Sequence, residues 1–573
     1  MTWRGWAEIA FTLGLSAALA WPLGLYLARL WRGQSTWLDP LLKPVERALY
    51  SLAAVRPEEG QGWSAYAMAI LTFNAAGFFL LYGILRLQAH LPLNPLHLGG
   101  LHPALAFNTA VSFVTNTNWQ AYAGETTLSN ASQMFGLTSQ NFLSAATGIA
   151  VAAALARAFA AHRGETLGNA FVDITRATLY LLLPICLVFA LILVALGTPQ
   201  TLAARVDVTT LEGAKQTLAI GPVASQEIIK QLGTNGGGFF NANSAHPFEN
   251  PNAWTNLIEE VAMNALSLGC VIAFGIVGLA RREARILVGV MLALVGVAAA
   301  CLYAAESSPT PALASAAAHA AHVLSGPNME GKEVRFGAAS SAVWTAMTTG
   351  ASDGGVNAMI ESFTPLGGGV ALFMIKLGEI LPGGVGSGFF GMVVMAVLAV
   401  FIAGLMVGRT PEYLGKKIEA REVKFAVLAT LLLPVALLGF AAAAAALPVA
   451  LRSVSTAGPH GLTEILYAYA SAVGNNGSAF GGLNADTPWW DGTLAIAMML
   501  GRFGYIAPVM AMAGALAAKP RLEPSAGALP ADGPQFASLL VGVILILGGL
   551  QYFPALALGP GVEHFQMQQE LGR

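Results

Sequence analysis

The sequence predicts an all-α polytopic membrane protein with ten transmembrane helices, built from four pseudo-symmetric helix–pore-loop–helix repeats and two flanking helices. Of 573 residues, 55% are hydrophobic and only 10% are charged, whereas a soluble domain carries about 25% charged residues. Ten apolar stretches are long enough to cross a bilayer, which takes about 20 residues. Four of the loops between them repeat the same layout, a short amphipathic segment that cannot span the bilayer followed by a polar cluster.

The apolar stretches set the order of the predicted spans. They cover approximately 5–29, 64–87, 137–160, 171–197, 255–280, 284–305, 369–408, 424–450, 490–517 and 535–555. The seventh is too long for one crossing and contains a glycine-rich run, so we expect a broken helix there. The net charge of −2 argues against nucleic acid as a partner.

The repeats divide the chain into six predicted segments. These are 1–62 (N-terminal flanking helix and cytoplasmic loop), 63–165 (repeat 1), 166–283 (repeat 2), 284–420 (repeat 3, with a broken second helix), 421–525 (repeat 4) and 526–573 (C-terminal flanking helix).

Basic residues predict the orientation of the chain. Lysine and arginine concentrate in the loops that follow odd-numbered spans, beginning with Arg29, Arg32, Lys43, Arg47 and Arg56 after the first. Because such loops stay in the cytoplasm, both termini and the four polar-cluster loops are expected on the extracytoplasmic side.

The polar clusters are the candidate ion-binding site. Their members are Thr115, Asn116, Thr117, Asn118 and Gln120 in the first loop, Thr234, Asn235, Gly236 and Gly237 in the second, Ser352, Asp353 and Gly354 in the third, and Asn475, Asn476 and Gly477 in the fourth. We align Asn116, Asn235, Asp353 and Asn476 as equivalent positions.

Loops of this composition suit a dehydrated cation. Irregular backbone at membrane depth is tolerated only where it is buried in protein or lines a wet cavity, and a ring of backbone carbonyls can replace the water shell of an ion. Such a ring suits K⁺, although composition does not exclude Na⁺. The alternative is that these are ordinary outer loops, which the fourfold repetition disfavours. Asp353 has two interpretations: a carboxylate that concentrates cations at the mouth, or a buried brace behind the loop.

The interruption of the seventh span is a second candidate site. It joins Lys376 and Glu379, which can pair on one helix face, to Gly383, Gly384, Gly386 and Gly388. Charges inside a span are costly and mark functional positions. We expect an intramembrane loop below the filter that forms a gate or exit path; the alternative is a structural salt bridge that stabilises a broken helix.

Three stretches of the chain resemble a known family. They are TNTNWQ at 115–120, GTNGGGFFNANSAHPFENP at 233–251 and VGNNGSAF at 473–480, and they are similar to the potassium-binding subunit (KdpA) of the bacterial Kdp ATPase. The resemblance implies a potassium-channel-like fold in the bacterial inner membrane and K⁺ as the transported ion. It also implies a complex with the ATPase subunit KdpB, with KdpC and with the small subunit KdpF.

The sequence contains no phosphate-binding loop and no Asp-Lys-Thr-Gly phosphorylation motif. We therefore expect no catalytic site in this chain, and ATP would be hydrolysed by a partner. A free-standing channel or symporter would use the same filter chemistry, and only the resemblance favours the pump. A membrane-embedded enzyme, such as a quinone oxidoreductase, would need paired histidine ligands inside spans. It is disfavoured, because no histidine lies at the centre of a predicted span.

Overall fold

The computed structural model describes residues 1–164, 166–308, 310, 326–377, 380–408, 411–522 and 530–571. Within these residues ten helices are long and apolar enough to cross a membrane, which confirms the predicted number. Numbered as spans 1 to 10, they are Trp3–Trp31, Trp63–His90, Ser132–Ala160, Ala170–Ala195, Ala253–Val277, Arg281–Ala305, Ser387–Met406, Ala420–Ala446, Pro488–Ala517 and Pro534–Gln569.

Four shorter helices lie between spans, one in each predicted repeat. Pore helices 1 to 4 are Pro103–Val114, Val223–Leu232, Gly337–Ala351 and Pro459–Val473. At 1.5 Å per residue, none of them reaches across a hydrocarbon layer of about 30 Å. Each is followed by an irregular loop and then by the next helix of its repeat. This order confirms the predicted unit of span, short helix, polar loop and span.

Span 7 is interrupted, as the sequence predicts. A half-helix, Pro365–Lys376, precedes it, and the break between the two, residues 377–386, is not helical where it is described. One detail differs from the prediction: Gly388 lies in the first turn of span 7, not in the break. A Cβ atom on Gly388 would lie 1.7 Å from the oxygen of Pro382, so this glycine allows the break to fold back on the helix.

Burial within the chain separates central spans from peripheral ones. In the apolar windows of spans 5 and 3, 94% and 83% of residues are buried, against 28% in spans 1, 2 and 10. Span 1 packs closely on span 5, because a Cβ on Gly24 would lie 2.6 Å from that of Ile272. Spans 3 and 5 therefore form the interior, and the two flanking spans lie at the edge.

The remaining elements are small. A hairpin pairs Arg205–Thr209 with Lys215–Ala219, and a second pairs Glu412–Tyr413 with Lys416–Lys417. Additional helices and helical turns are Asp39–Leu52, Gly124–Thr127, Asn243–Ala245, Ile360–Ser362 and Pro448–Leu451. The last helical segment of span 10, Val562–Leu571, ends the described part of the chain.

Candidate ion-binding site

The four polar loops share one backbone turn. In each, a main-chain N–H donates to the carbonyl five residues earlier: Thr117 to Ser112 (2.9 Å), Asn235 to Lys230 (2.8 Å), Asp353 to Thr348 (3.1 Å) and Asn476 to Ser471 (2.9 Å). Thr117, Asn235, Asp353 and Asn476 are therefore equivalent. The alignment made from sequence, which equated Asn116 with Asn235, is wrong by one residue in the first loop.

Backbone angles support the corrected register. The residue before each equivalent position has positive φ: Asn116 (63°), Thr234 (47°), Ser352 (49°) and Asn475 (49°). The residue after it does too: Asn118 (53°), Gly236 (67°), Gly354 (99°) and Gly477 (94°). The middle residue is not in the left-handed region. A residue outside the left-handed region between two residues of positive φ can turn successive carbonyls toward one side of the chain, which is the arrangement that a carbonyl filter requires.

The loops form a closed ring. A Cβ atom on Gly236 would lie 2.2 Å from the oxygen of Asp353, one on Gly354 would lie 1.9 Å from that of Asn476, and one on Gly477 would lie 1.8 Å from that of Thr117. The first loop reaches the second through Asn118, whose Nδ2 donates to the Gly236 oxygen at 2.9 Å. Each loop thus contacts the next and the fourth contacts the first, with main-chain oxygens at the contacts.

Side chains brace the ring between loops. Asn116 Nδ2 donates to the Thr234 oxygen at 2.8 Å, and Ser352 Oγ donates to the Gly474 oxygen at 3.0 Å. Asn475 Nδ2 donates to Thr117 Oγ1 at 3.0 Å, which joins the fourth loop to the first. These amides and hydroxyls hold neighbouring loops together.

Other predicted residues lie beside the ring. Thr115 Oγ1 lies 2.7 Å from Thr117 Oγ1. Gln120 lies against the second loop, where its amide accepts from the Gly238 N–H at 2.8 Å and donates to the Gly238 oxygen at 3.1 Å. The oxygen of Gly237 accepts a hydrogen bond from Lys230 at 2.9 Å. Gln120 therefore positions the second loop from its side.

Asp353 is buried, and its Oδ1 accepts from the Gly355 N–H at 2.9 Å. This geometry favours the brace over a carboxylate exposed at the mouth. The indole of Trp344 supports the same segment, since its Nε1 donates to the Gly355 oxygen at 2.8 Å. The third loop is thus held from behind by an acid and an aromatic ring.

Sequence analysis missed a buried charge cluster behind the second loop. Lys230 Nζ lies 2.9 Å from Glu227 Oε2 and 2.5 Å from Glu249 Oε2, and all three side chains are almost fully buried. The same ammonium donates to Gly237, so the cluster is attached directly to the ring. Its sequence signal was Glu227 and Lys230, an acidic and a basic residue three positions apart in one short helix, a spacing that permits pairing.

The break in span 7 packs against the second loop and the end of pore helix 3. The Val385 N–H donates to Thr234 Oγ1 at 2.8 Å, and the Gly383 N–H donates to the Gly350 oxygen at 2.9 Å. A Cβ on Gly386 would lie 2.1 Å from the oxygen of Gly148 in span 3, and one on Gly384 would lie 2.5 Å from Ser387 Oγ. The break therefore contacts the second loop, the end of pore helix 3 and span 3.

Lys376 is buried at the end of the half-helix, and its Nζ has no hydrogen-bond partner among the described residues. The ammonium lies 5.1 Å from the centre of the Tyr552 ring, at a cavity of about 40 Å³ that Leu433 and Gly548 also line. Its predicted partner Glu379 lies outside the described residues, so the pairing remains a prediction.

The comparisons with known proteins agree with this architecture. Residues 10–565 match the family described as potassium-transporting ATPase A subunit (KdpA). The chain belongs to this family. A protein of Beijerinckia indica subsp. indica named potassium-transporting ATPase potassium-binding subunit is 67% identical over 573 residues, which covers 100% of both chains. Proteins of the same name from Caulobacter sp. and Allorhizobium ampelinum are each 60% identical, with 99% of both chains covered.

Among solved structures, the potassium transporter TrkH from Vibrio parahaemolyticus matches with a TM-score of 0.51 at 16% identity, covering 88% of this chain and 98% of that chain. At this identity the match shows the fold alone. It confirms the predicted fold class for this member of the A-subunit family, a multi-pass membrane protein.

Proposed function

We propose that this chain binds and selects K⁺ from the extracytoplasmic side, as the ion-binding subunit of an ATP-driven potassium uptake pump. The observation that carries the proposal is the closed ring of four loops with main-chain oxygens at every contact between neighbours. Membership of the A-subunit family and the names of its relatives support K⁺ as the ion.

The ring would act by replacing the hydration shell of K⁺. The proposed ligands are main-chain and hydroxyl oxygens of residues 115–118, 234–237, 352–354 and 475–477. The C-terminal ends of the four pore helices face the loops, and their partial negative charge favours a cation there. We also propose that the six segments predicted from sequence are the repeat boundaries, and that both termini are extracytoplasmic in a bacterial inner membrane.

Energy would enter through partners. The chain supplies no phosphate-binding or phosphorylation motif, so we propose that KdpB hydrolyses ATP, with KdpC and KdpF completing the complex. The ion would leave the ring past the break in span 7, where Lys376, Glu379 and the glycines 383, 384, 386 and 388 are candidates for the gate.

The test is ATPase activity of the purified complex as a function of K⁺, Rb⁺ and Na⁺. K⁺ should stimulate at the lowest concentration. Gly236→Asp should raise the K⁺ concentration for half-maximal stimulation by about tenfold or more, because the added carboxylate enters the contact with Asp353. The half-maximal concentrations of K⁺, Rb⁺ and Na⁺ should also become more alike. Unchanged K⁺ dependence would remove residue 236 from the site. Failure to copurify with an ATPase would favour the free-standing transporter.

A further inference from the structure

Asp491 lies in the first turns of span 9, well away from the ring residues in sequence. Its side chain is completely buried, and neither carboxylate oxygen has a hydrogen-bond partner among the described residues. A carboxylate that leaves water without a partner costs several kcal/mol. The start of a helix favours the ionised form, and a cation bound here would offset the remaining cost of burying the charge.

Two other ligating side chains meet Asp491. His102 Nε2 lies 2.8 Å from Asp486 Oδ1, and one ligand atom from each of His102, Asp486 and Asp491 lies within 4.8 Å of the others. The side chains of His102 and Asp486 are 49% and 42% exposed. An ion can therefore arrive from water and contact the buried carboxylate at the base of the group.

The three residues join distant parts of the chain. His102 immediately precedes pore helix 1, whereas Asp486 and Asp491 lie just before and within span 9. Asn108 of pore helix 1 fixes the two elements against each other, since its Nδ2 donates to the main-chain oxygen of Asp491 at 2.9 Å. The group therefore lies at the seam where the fourth repeat meets the first.

We propose that His102, Asp486 and Asp491 bind a divalent transition-metal ion of the Zn²⁺ or Mn²⁺ class and thereby clamp repeat 1 to repeat 4. One imidazole and two carboxylates form a three-ligand set of the kind that such ions accept, with the remaining positions left to water. The buried carboxylate supplies the charge, and the two exposed side chains can rotate to shorten the ligand separations.

Binding changes the tautomer of His102. The Leu105 N–H now donates to His102 Nδ1 at 3.3 Å, which leaves the proton on Nε2. Metal coordination by Nε2 moves that proton to Nδ1 and gives up this helix cap, a loss of about 1 kcal/mol. The free energy of binding a metal to three protein ligands can exceed that cost.

The experiment measures metal binding by the purified, chelator-treated complex. Zn²⁺, Mn²⁺ and Mg²⁺ are titrated by calorimetry and the bound metal is quantified. We expect one Zn²⁺ per complex at this site, little Mg²⁺ binding, and a higher thermal unfolding temperature with Zn²⁺. Asp491→Asn and Asp486→Asn should each weaken Zn²⁺ binding about tenfold or more. Because Asp486 is exposed, Asp486→Asn should assemble normally. It therefore tests the metal site if Asp491→Asn fails to assemble.

The chain offers a matched control. Glu361, His460 and Glu464 form a second histidine–carboxylate group, with one ligand atom of each within 4.8 Å of the others, and His460→Gln should leave binding at the first group unchanged. Three results would overturn the proposal. They are loss of Zn²⁺ binding in His460→Gln alone, Zn²⁺ binding by Asp486→Asn as tight as by the parent protein, and no bound Zn²⁺ at micromolar concentration. K⁺-stimulated ATPase activity of the chelated complex reports separately on the potassium site.

Discussion

The main-chain oxygen of Asn476 lies 1.9 Å from the position that a Cβ atom on Gly354 would occupy. Since real side chains never approach a backbone oxygen so closely, the third and fourth loops can meet only because residue 354 is glycine. The same relationship joins Gly236 to Asp353 and Gly477 to Thr117. These three contacts between loops therefore require glycine at residues 236, 354 and 477.

Gly354→Ala should open this ring. We expect the K⁺ concentration for half-maximal ATPase stimulation to rise about tenfold or more, equivalent to 1.4 kcal/mol, with weaker discrimination against Na⁺. Gly337→Ala is the matched control: Gly337 also has positive φ (77°), but nothing lies within 4 Å of its Cβ position. If both changes raise the half-maximal K⁺ concentration equally, the cause is backbone strain and not the contact between the third and fourth loops.

Lys230→Met should destabilise the assembled protein. It leaves Glu227 and Glu249 buried without their cation, and breaking a buried ion pair from one side costs about 3–5 kcal/mol. Denaturant or thermal unfolding of the complex measures the loss. The double change Lys230→Met with Glu249→Gln should recover part of it. Lys43→Met, which removes an exposed lysine 3.9 Å from Asp39, should cost less than about 1 kcal/mol.

Lys376→Met should separate stability from transport. Among the described residues this buried ammonium has no hydrogen-bond partner, and burying a charge without a partner is unfavourable. If Glu379 does not pair with it, replacement by an apolar side chain of similar length should raise the unfolding temperature; if Glu379 does, the same change should lower it. If the charge serves the exit path, K⁺ uptake should fall several-fold while the K⁺ dependence of ATPase stimulation stays the same. Unchanged uptake with greater stability would show that Lys376 has no part in transport.

Acidification should weaken the loop around His246, between spans 4 and 5. Burial and the nearby Arg335 guanidinium lower the pKa of His246 to about 4, while the neutral ring stacks on Phe240 with centroids 3.8 Å apart. Because the folded pKa lies below the unfolded value, this stabilisation is complete above the unfolded pKa and is lost as pH falls toward 4. The difference in unfolding free energy between the parent protein and His246→Gln should shrink over that pH range. A constant difference would contradict a lowered pKa of His246.

The first loop shows where sequence reasoning stops. Asn116 matched Asn235 by residue type, yet Thr117 is the structural equivalent, because its N–H makes the hydrogen bond that closes the turn. Asparagine tolerates positive φ nearly as readily as it braces a turn. With Asn116 and Asn118 on either side of Thr117, residue type alone could not choose the register.

The sequence by itself determined the ten spans, the four short helices and the interruption before span 7, because these follow from local hydrophobicity and from glycine's poor helix propensity. Only the tertiary structure decided which atoms of the four loops touch, how Lys230 attaches to the second loop, and that His102 meets Asp486. Those pairs lie up to 384 residues apart, and long-range contacts arise from the packing of whole helices, which no local pattern encodes.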